Sequence, residues 1–260
     1  MELKKIYDIA DSLAPFALSK EYCETYGMRD NSGIQLDCGG EITSVLFALD
    51  LSKGAVSKAR SMGARCIVTH HPAIFNPLYS ITERTSAPLL ACARLGISVI
   101  SAHLNLDTVK GGIDDCLMRG LGGMQEEALM HKLSGGGYGR AYQVNPCSTA
   151  ELAMRIRQVF LTSRIIIYGN KPVGKIASFC GAGMDEQSVD FAVKQGADTL
   201  VSSDGKHHLI LDGVEKGLNV VLIPHYSAEL YGFKNFLSNF NEKTKAFGLR
   251  SELYADERFL

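Results

Sequence analysis

Apolar and polar positions along this chain fall into short blocks whose period switches between that of a helix and that of a buried strand. The opening segment, MELKKIYDIADSLAPF, sets Leu3, Ile6, Tyr7, Ile9, Ala10 and Leu13 on one helical face, and Pro15 ends the run or begins a new element. SVLFALDLS, at 44–52, is an apolar, β-branched run of the kind that fills a buried strand. GAVSKARSMGA then predicts a helix with Gly63 at its C-cap, and CIVTHHP, at 66–72, the next strand. SAPLLACARLGI predicts a helix stopping at Gly96, and SVISAHLNLD a further strand. Strands alternating with helices predict an α/β protein with largely parallel pairing.

The second half repeats the grammar. KIASFCGAG is a strand, DEQSVDFAVKQGA a helix ending at Gly196, and DTLVSSDGKHH a strand with a polar exit. ILDGVEKGL is a helix with Gly217 at its end, and NVVLIPHYSAEL a strand with a polar exit. VSKARSMGARCIVTHH aligns with VDFAVKQGADTLVSSD without a gap: Val56 falls on Val189, Ala59 on Ala192, Gly63 on Gly196 and Val68 on Val201. We read this as an internal duplication. The alternative is that two unrelated strand–helix–strand units share Gly and Ala at their caps. The expected architecture is two related α/β domains with sheets flanked by helices. Residues 1–125 plus about 232–260 would form the first domain and 126–231 the second, with glycines 122–123 and 135–137 marking a turn-rich join.

Composition narrows the function classes. The 260 residues carry a net charge of −1, which gives no electrostatic case for nucleic acid or an anionic membrane surface as partner. No apolar run reaches the ~18 residues needed to span a bilayer, and the N-terminus lacks the apolar stretch of a signal peptide. The seven cysteines are scattered, with no CxxC pair, as expected of reduced, packed thiols in a cytoplasmic protein.

Candidate chemistry collects at four strand exits, THHP (69–72), SAHLNLD (101–107), SSDGKHH (202–208) and IPHYSAE (223–229), which hold six of the seven histidines. Functional groups of open α/β sheets gather beyond the carboxyl ends of the strands. His70 and His71 would face opposite sides of a regular strand, but after a strand breaks into a turn they can converge. His225 and Glu229 are four residues apart after Pro224 and so share one face of a first helical turn. Asp107 is either a ligand or the N-cap of a helix beginning TVKGGIDD. Histidines with carboxylates, and no cysteine, describe an open zinc, manganese or iron site of mixed nitrogen and oxygen character. GGGYGR, at 135–140, is a turn before it is a phosphate cradle, because it fits no strand-to-helix fingerprint.

DNSGIQLD (30–37), VTHHPAIF (68–75), SAHLNLDTVKGGIDDCL (101–117), GYGR (137–140), GAG (181–183) and HYSAE (225–229) come in the order of one family. The chain resembles the Nif-three-like dinuclear-metal-centre hexameric proteins, often labelled as a type-two form of GTP cyclohydrolase I. The resemblance implies a toroidal homo-hexamer with a two-metal site at strand C-terminal ends between two related α/β domains. It assigns His70, His71, Asp107, His225 and Glu229 as ligands of two divalent ions per chain, of zinc, iron, manganese or nickel. Glu229 would bridge, with His71 and Asp107 completing one ion and His70 and His225 the other. His103, His208 and Tyr226 then become candidates for proton transfer or for orienting the ligands. The expected function is a metal-dependent hydrolase acting on a nucleotide-like or other small substrate, and the alternative is a non-catalytic ring-shaped scaffold. Ser32, Ile34, Ser202, Ser203 and Pro224 depart from the family's usual residues without changing a ligand type.

Overall fold

The computed structural model describes all 260 residues. Its strands are β1 (Gly33–Leu36), β2 (Ser44–Ala48), β3 (Cys66–Thr69), β4 (Ser98–Ser101), β5 (Ala128–Leu133), β6 (Gly136–Cys147), β7 (Ile166–Tyr168), β8 (Val173–Ser178), β9 (Thr199–Ser202), β10 (Asn219–Leu222) and β11 (Arg250–Tyr254). The helices are α1 (Leu3–Leu13), α2 (Phe16–Tyr26), α3 (Lys53–Ser61), α4 (Glu83–Leu95), α5 (Leu104–Thr108), α6 (Ile113–Leu121), α7 (Thr149–Phe160), α8 (Glu186–Lys194), α9 (His207–Glu215) and α10 (His225–Thr244). They divide into two compact units: Met1–Leu106 with Phe233–Asp256, and Asp107–Gly232 with Glu257–Leu260. The division falls earlier than residue 125 because α6 packs on α7, β6 and β8 of the second unit.

The first unit holds a sheet of order β1-β4-β3-β2-β11. β11, β2, β3 and β4 run parallel, and β1 is an antiparallel edge. Every residue of β2, β3 and β4 is buried, as strands covered on both faces require. Alternation sends Leu46 and Ala48 to one face, against Ala55, Val56 and Ala59 of α3. Phe47 goes to the other, where its ring meets Phe233, Phe236 and Phe240 at 5.9, 6.0 and 5.0 Å between centroids.

The second unit holds a sheet of order β5-β6-β8-β9-β10-β7. β8, β9 and β10 are parallel, whereas the β5–β6 hairpin and β7 pair antiparallel at the edges. The parallel centres of the two units share the predicted repeat down to their hydrogen bonds. α3 and α8 begin 133 residues apart (186 − 53), as do β3 and β9 (199 − 66). Gly63 donates to Arg60 O and Gly196 to Val193 O, while Ala64 donates to Ala59 O and Ala197 to Ala192 O. Both glycines take left-handed φ, 70° and 66°, which stops each helix and returns the chain to a strand.

The structure shortens one expected strand, removes one of two readings of Asp107 and bears out the turn at GGGYGR. The strand over SVISAHLNLD ends at Ser101, where Leu106 N bonds back to His103 O and the chain turns into α5. Asp107 therefore lies inside a helical turn and is no N-cap: the next helix, α6, has Gly112 in that position. GGGYGR is the turn and start of the β5–β6 hairpin, and Arg140 is buried in ion pairing with Asp114 (3.1 Å), so it meets no external anion. All seven cysteines are free thiols.

Candidate metal centre

In the first unit the parallel register brings the ends of β2, β3 and β4 to one edge. His70 N bonds to Ala48 O, His71 N to Leu49 O and Ala102 N to Thr69 O, which carries the pairing past the strands. Thr69 Oγ1 lies 2.9 Å from His71 O and 2.7 Å from Ser101 Oγ, fixing the turn that starts at His70. The two neighbouring imidazoles accordingly fall on the same side, with centroids 4.8 Å apart, and His103 joins them at 5.2 Å from His70 and 5.8 Å from His71.

Each of these rings has an acceptor on Nδ1. His70 donates to Ala102 O at 2.8 Å, and because a carbonyl can only accept, the tautomer puts the lone pair on Nε2. His71 Nδ1 lies 2.8 Å from Asp50 Oδ1, and His103 Nδ1 2.7 Å from Asp30 Oδ1. A carboxylate or carbonyl behind the imidazole is the arrangement that orients a metal-ligating histidine and raises its basicity. Asp30 is itself held: Ser19 and Ser32 donate to its second oxygen. Burial pushes this carboxyl up, but the His103 hydrogen bond and charge, with those hydroxyls, outweigh it and hold it at about 2. Asp30 is thus a fixed anion behind His103.

The second unit holds a histidine and carboxylates of its own. Pro224 ends the run after β10, and α10 opens with His225, whose Nε2 lies 2.9 Å from Glu229 Oε1 one turn on. Asp204, beyond β9, holds His225 Nδ1 at 2.7 Å. Glu229 is 2% exposed and Asp107 5%. The Cys180 thiol donates to Asp107 Oδ1 at 3.5 Å. Burial pushes that thiol well up, with the carboxylates of Asp107, Asp114 and Glu229 adding to the effect, so it is a neutral donor. Gly181 follows it, and a methyl there would sit 2.7 Å from Glu229 Oε1. Asp114 holds this turn in place by accepting from Cys180 N (3.1 Å) and Gly139 N (3.0 Å) while paired with Arg140.

The predicted residues thus fall into two groups. His70, His71 and His103 converge in the first unit. In the second, His225 meets Glu229, and Asp107 meets Cys180. Tyr226 is buried against Phe259 at 5.5 Å. His208 is exposed on the first turn of α9, in a shallow pocket with Asp185, Glu186 and Lys206. Asp30 and Asp50 were not singled out from sequence, although DNSGIQLD and the polar exit of SVLFALDLS contain them.

Fold and side chains define an α/β protein of two sheets flanked by helices, with buried histidine, aspartate and glutamate groups that could hold a metal ion. No helix is long and apolar enough to cross a membrane. Residues 1–257 match the family described as Duf34/NIF3 (NGG1p interacting factor 3), and the chain belongs to that family. A Clostridium perfringens relative named "GTP cyclohydrolase 1 type 2 homolog" is 32% identical over 238 residues, covering 88% of this chain and 87% of its own. A Methanocaldococcus jannaschii relative of the same name is 30% identical over 247 residues, covering 92% and 96%. A solved structure of a Bacillus cereus protein related to NIF3 has a TM-score of 0.85 at 20% identity, over 99% of this chain and 97% of that one, a likeness of fold.

Proposed function

We propose that the chain holds two divalent ions and works as a metal-dependent hydrolase on a small substrate. The observation that carries this reading is the first unit's set of three imidazoles, each backed by an acceptor on Nδ1. Three imidazoles with centroids 4.8–5.8 Å apart, each oriented by an acceptor behind it, suit a metal site better than apolar packing. Asp107 begins the second unit's stretch of chain, and His225 and Glu229 lie within its last turns before Gly232, so the carboxylates sit in sequence where the chain passes from one unit to the other. In this reading His71 and Asp107 would hold one ion, His70 and His225 the other, and Glu229 would be shared between them. His103 is a further imidazole for the same ions or the proton carrier beside them.

Two bound ions would bring the pKa of a water down to near neutrality and polarise the atom under attack. The chain's own residues do the rest. Asp50 and Asp204 keep His71 and His225 oriented. Asp30 keeps a proton on His103 Nδ1 and stabilises the ring when it takes a second, the role of an anion behind a general base. Tyr226 is a hydrogen-bond donor for developing negative charge. His208, exposed on the first turn of α9, would be a second candidate for moving protons. The relatives' names point to a purine nucleotide as substrate, and the free thiols suit a reducing cytoplasm. A toroidal homo-hexamer is the assembly that the resemblance implies.

A panel of nucleotides, phosphoesters and cyclic amides tests the reading. Wild-type protein loaded with zinc, iron or manganese should turn over at least one class, and Glu229→Ala should lose the rate. Equal rates in the two proteins would sink the hydrolase. The alternative, a ring-shaped scaffold acting through partners, draws on the interaction named in the family's description. It predicts that His103→Ala leaves the cellular phenotype intact while His70→Ala abolishes it.

A further inference from the structure

Beside the imidazole cluster, and wholly within the first unit, the segment leaving β3 and the start of α4 enclose a groove of about 410 Å³. His71 forms part of its wall, so the groove adjoins the histidine cluster. That volume lies in the range of small-molecule sites, roughly 300–1,000 Å³. Its walls include Asp50, Phe75, Leu78, Ser86 and Pro88, and no lysine or arginine lines it. Phe75 and Leu78 are 52% and 40% exposed, and the Phe75 ring stands edge-on to His103 at 6.3 Å, so its face is a flat apolar surface close to the histidines.

Ser86 adds the polar feature. Pro88 has no N–H for the helix ladder, and α4 kinks at Ser86, whose φ of −152° and ψ of 40° are not helical. The Ser86 hydroxyl is buried without a hydrogen-bond partner. Buried hydroxyls of folded proteins are as a rule satisfied, and one left unpartnered in the wall of a groove calls for a ligand atom to pair with. Asp50 gives His71 one oxygen while its side chain stays 48% exposed, so an acceptor also faces the groove.

We infer that this groove receives the non-reacting part of the substrate, and that this part is a neutral, planar heterocycle with amide-like edges. The inference rests on the reading of the adjacent histidines as a metal centre. Phe75 would stack on the ring, Asp50 would accept from its N–H, and Ser86 would pair with its carbonyl. A phosphate chain would meet a carboxylate and no cation, so the groove selects against it. If the substrate is a nucleotide, its base belongs here and its phosphates outside.

Equilibrium dialysis of metal-loaded wild type, Phe75→Ala and Ser86→Ala against guanosine, cytidine, a neutral pterin and inorganic triphosphate tests this. At least one neutral heterocycle should bind wild type with little dependence on salt, because no ion pair forms. Each substitution should weaken that binding about tenfold, the loss of one stacking or buried hydrogen-bond contact. Triphosphate binding should not respond to either. Ser86→Ala removes a hydroxyl that bonds to nothing, so its urea midpoint should match wild type and separate binding from folding. A metal-loaded chain that binds no heterocycle, or binds it equally in all three proteins, overturns the groove and leaves the metal centre standing. A chain that takes up no metal yet binds a heterocycle through Phe75 and Ser86 overturns the centre and not the groove.

Discussion

Gly181→Ala isolates the candidate site from the fold around it. Gly181 has φ 61°, and an added methyl would lie 2.7 Å from Glu229 Oε1 and 3.4 Å from His225 Nε2. Gly196 has nearly the same φ, 66°, with open space where the methyl would go. Left-handed backbone costs an alanine about 1–2 kcal/mol. Both substitutions should therefore lower stability by that amount in urea denaturation of the metal-stripped protein. Only Gly181→Ala should also displace the Glu229 carboxylate, because a carbon–oxygen approach of 2.7 Å lies inside van der Waals contact. Disturbing the groups that position a ligand typically costs about 10–100-fold in metal affinity, or roughly 1.4–2.8 kcal/mol. Competition with a chromophoric chelator gives the affinity of each protein. Gly181→Ala binding metal as tightly as Gly196→Ala would refute the placement of Glu229 at the centre.

Asp50→Ala removes the acceptor behind His71 and should weaken metal binding by about 10–100-fold in the same assay while the urea midpoint moves little. Asp114→Ala leaves Arg140 buried beside the more distant Asp115 and Glu126, and should cost about 3–5 kcal/mol of stability near neutral pH. Burial pushes Asp114 up to about 6, against the pull of Arg140 and the amides of Cys180 and Gly139. The folded state therefore keeps this proton where the unfolded chain has lost it, and the group's contribution to stability falls as pH rises from about 4 to about 6. Asp114→Asn should remove that component, seen as a different pH slope of the urea midpoint across the window. Chelation of the bound metal should lower the Tm of wild type and leave that of Glu229→Ala unchanged.

The parallel centre of each sheet was legible because its strands are short, mostly apolar and closed by glycine-capped helices, the pattern that also exposed the repeat. The edges were not. β5 is half-buried along most of its length, and β6 begins with glycines that argue against a strand by propensity. There the backbone of the neighbouring strand decides: a methyl at Gly137 would sit 2.4 Å from His131 O. β1, β7 and β11 are edges of three to five residues with little pattern of their own. The five ligand candidates stood out because histidines are few and gather at strand exits. Asp30 and Asp50 did not, since they lie 73 and 21 residues from the histidines they hold and nothing in the local pattern links them. Asp107 could be read as either ligand or cap because its helical turn is too short to show a period.

The central claim is a dinuclear centre. It is tested most directly by metal content per chain, from elemental mass spectrometry of untagged wild type and Glu229→Ala purified without chelator. The account predicts about two ions in wild type and a sharp fall in the variant. Wild type that stays well below one ion per chain after reconstitution, with no response to the substitution, would contradict it.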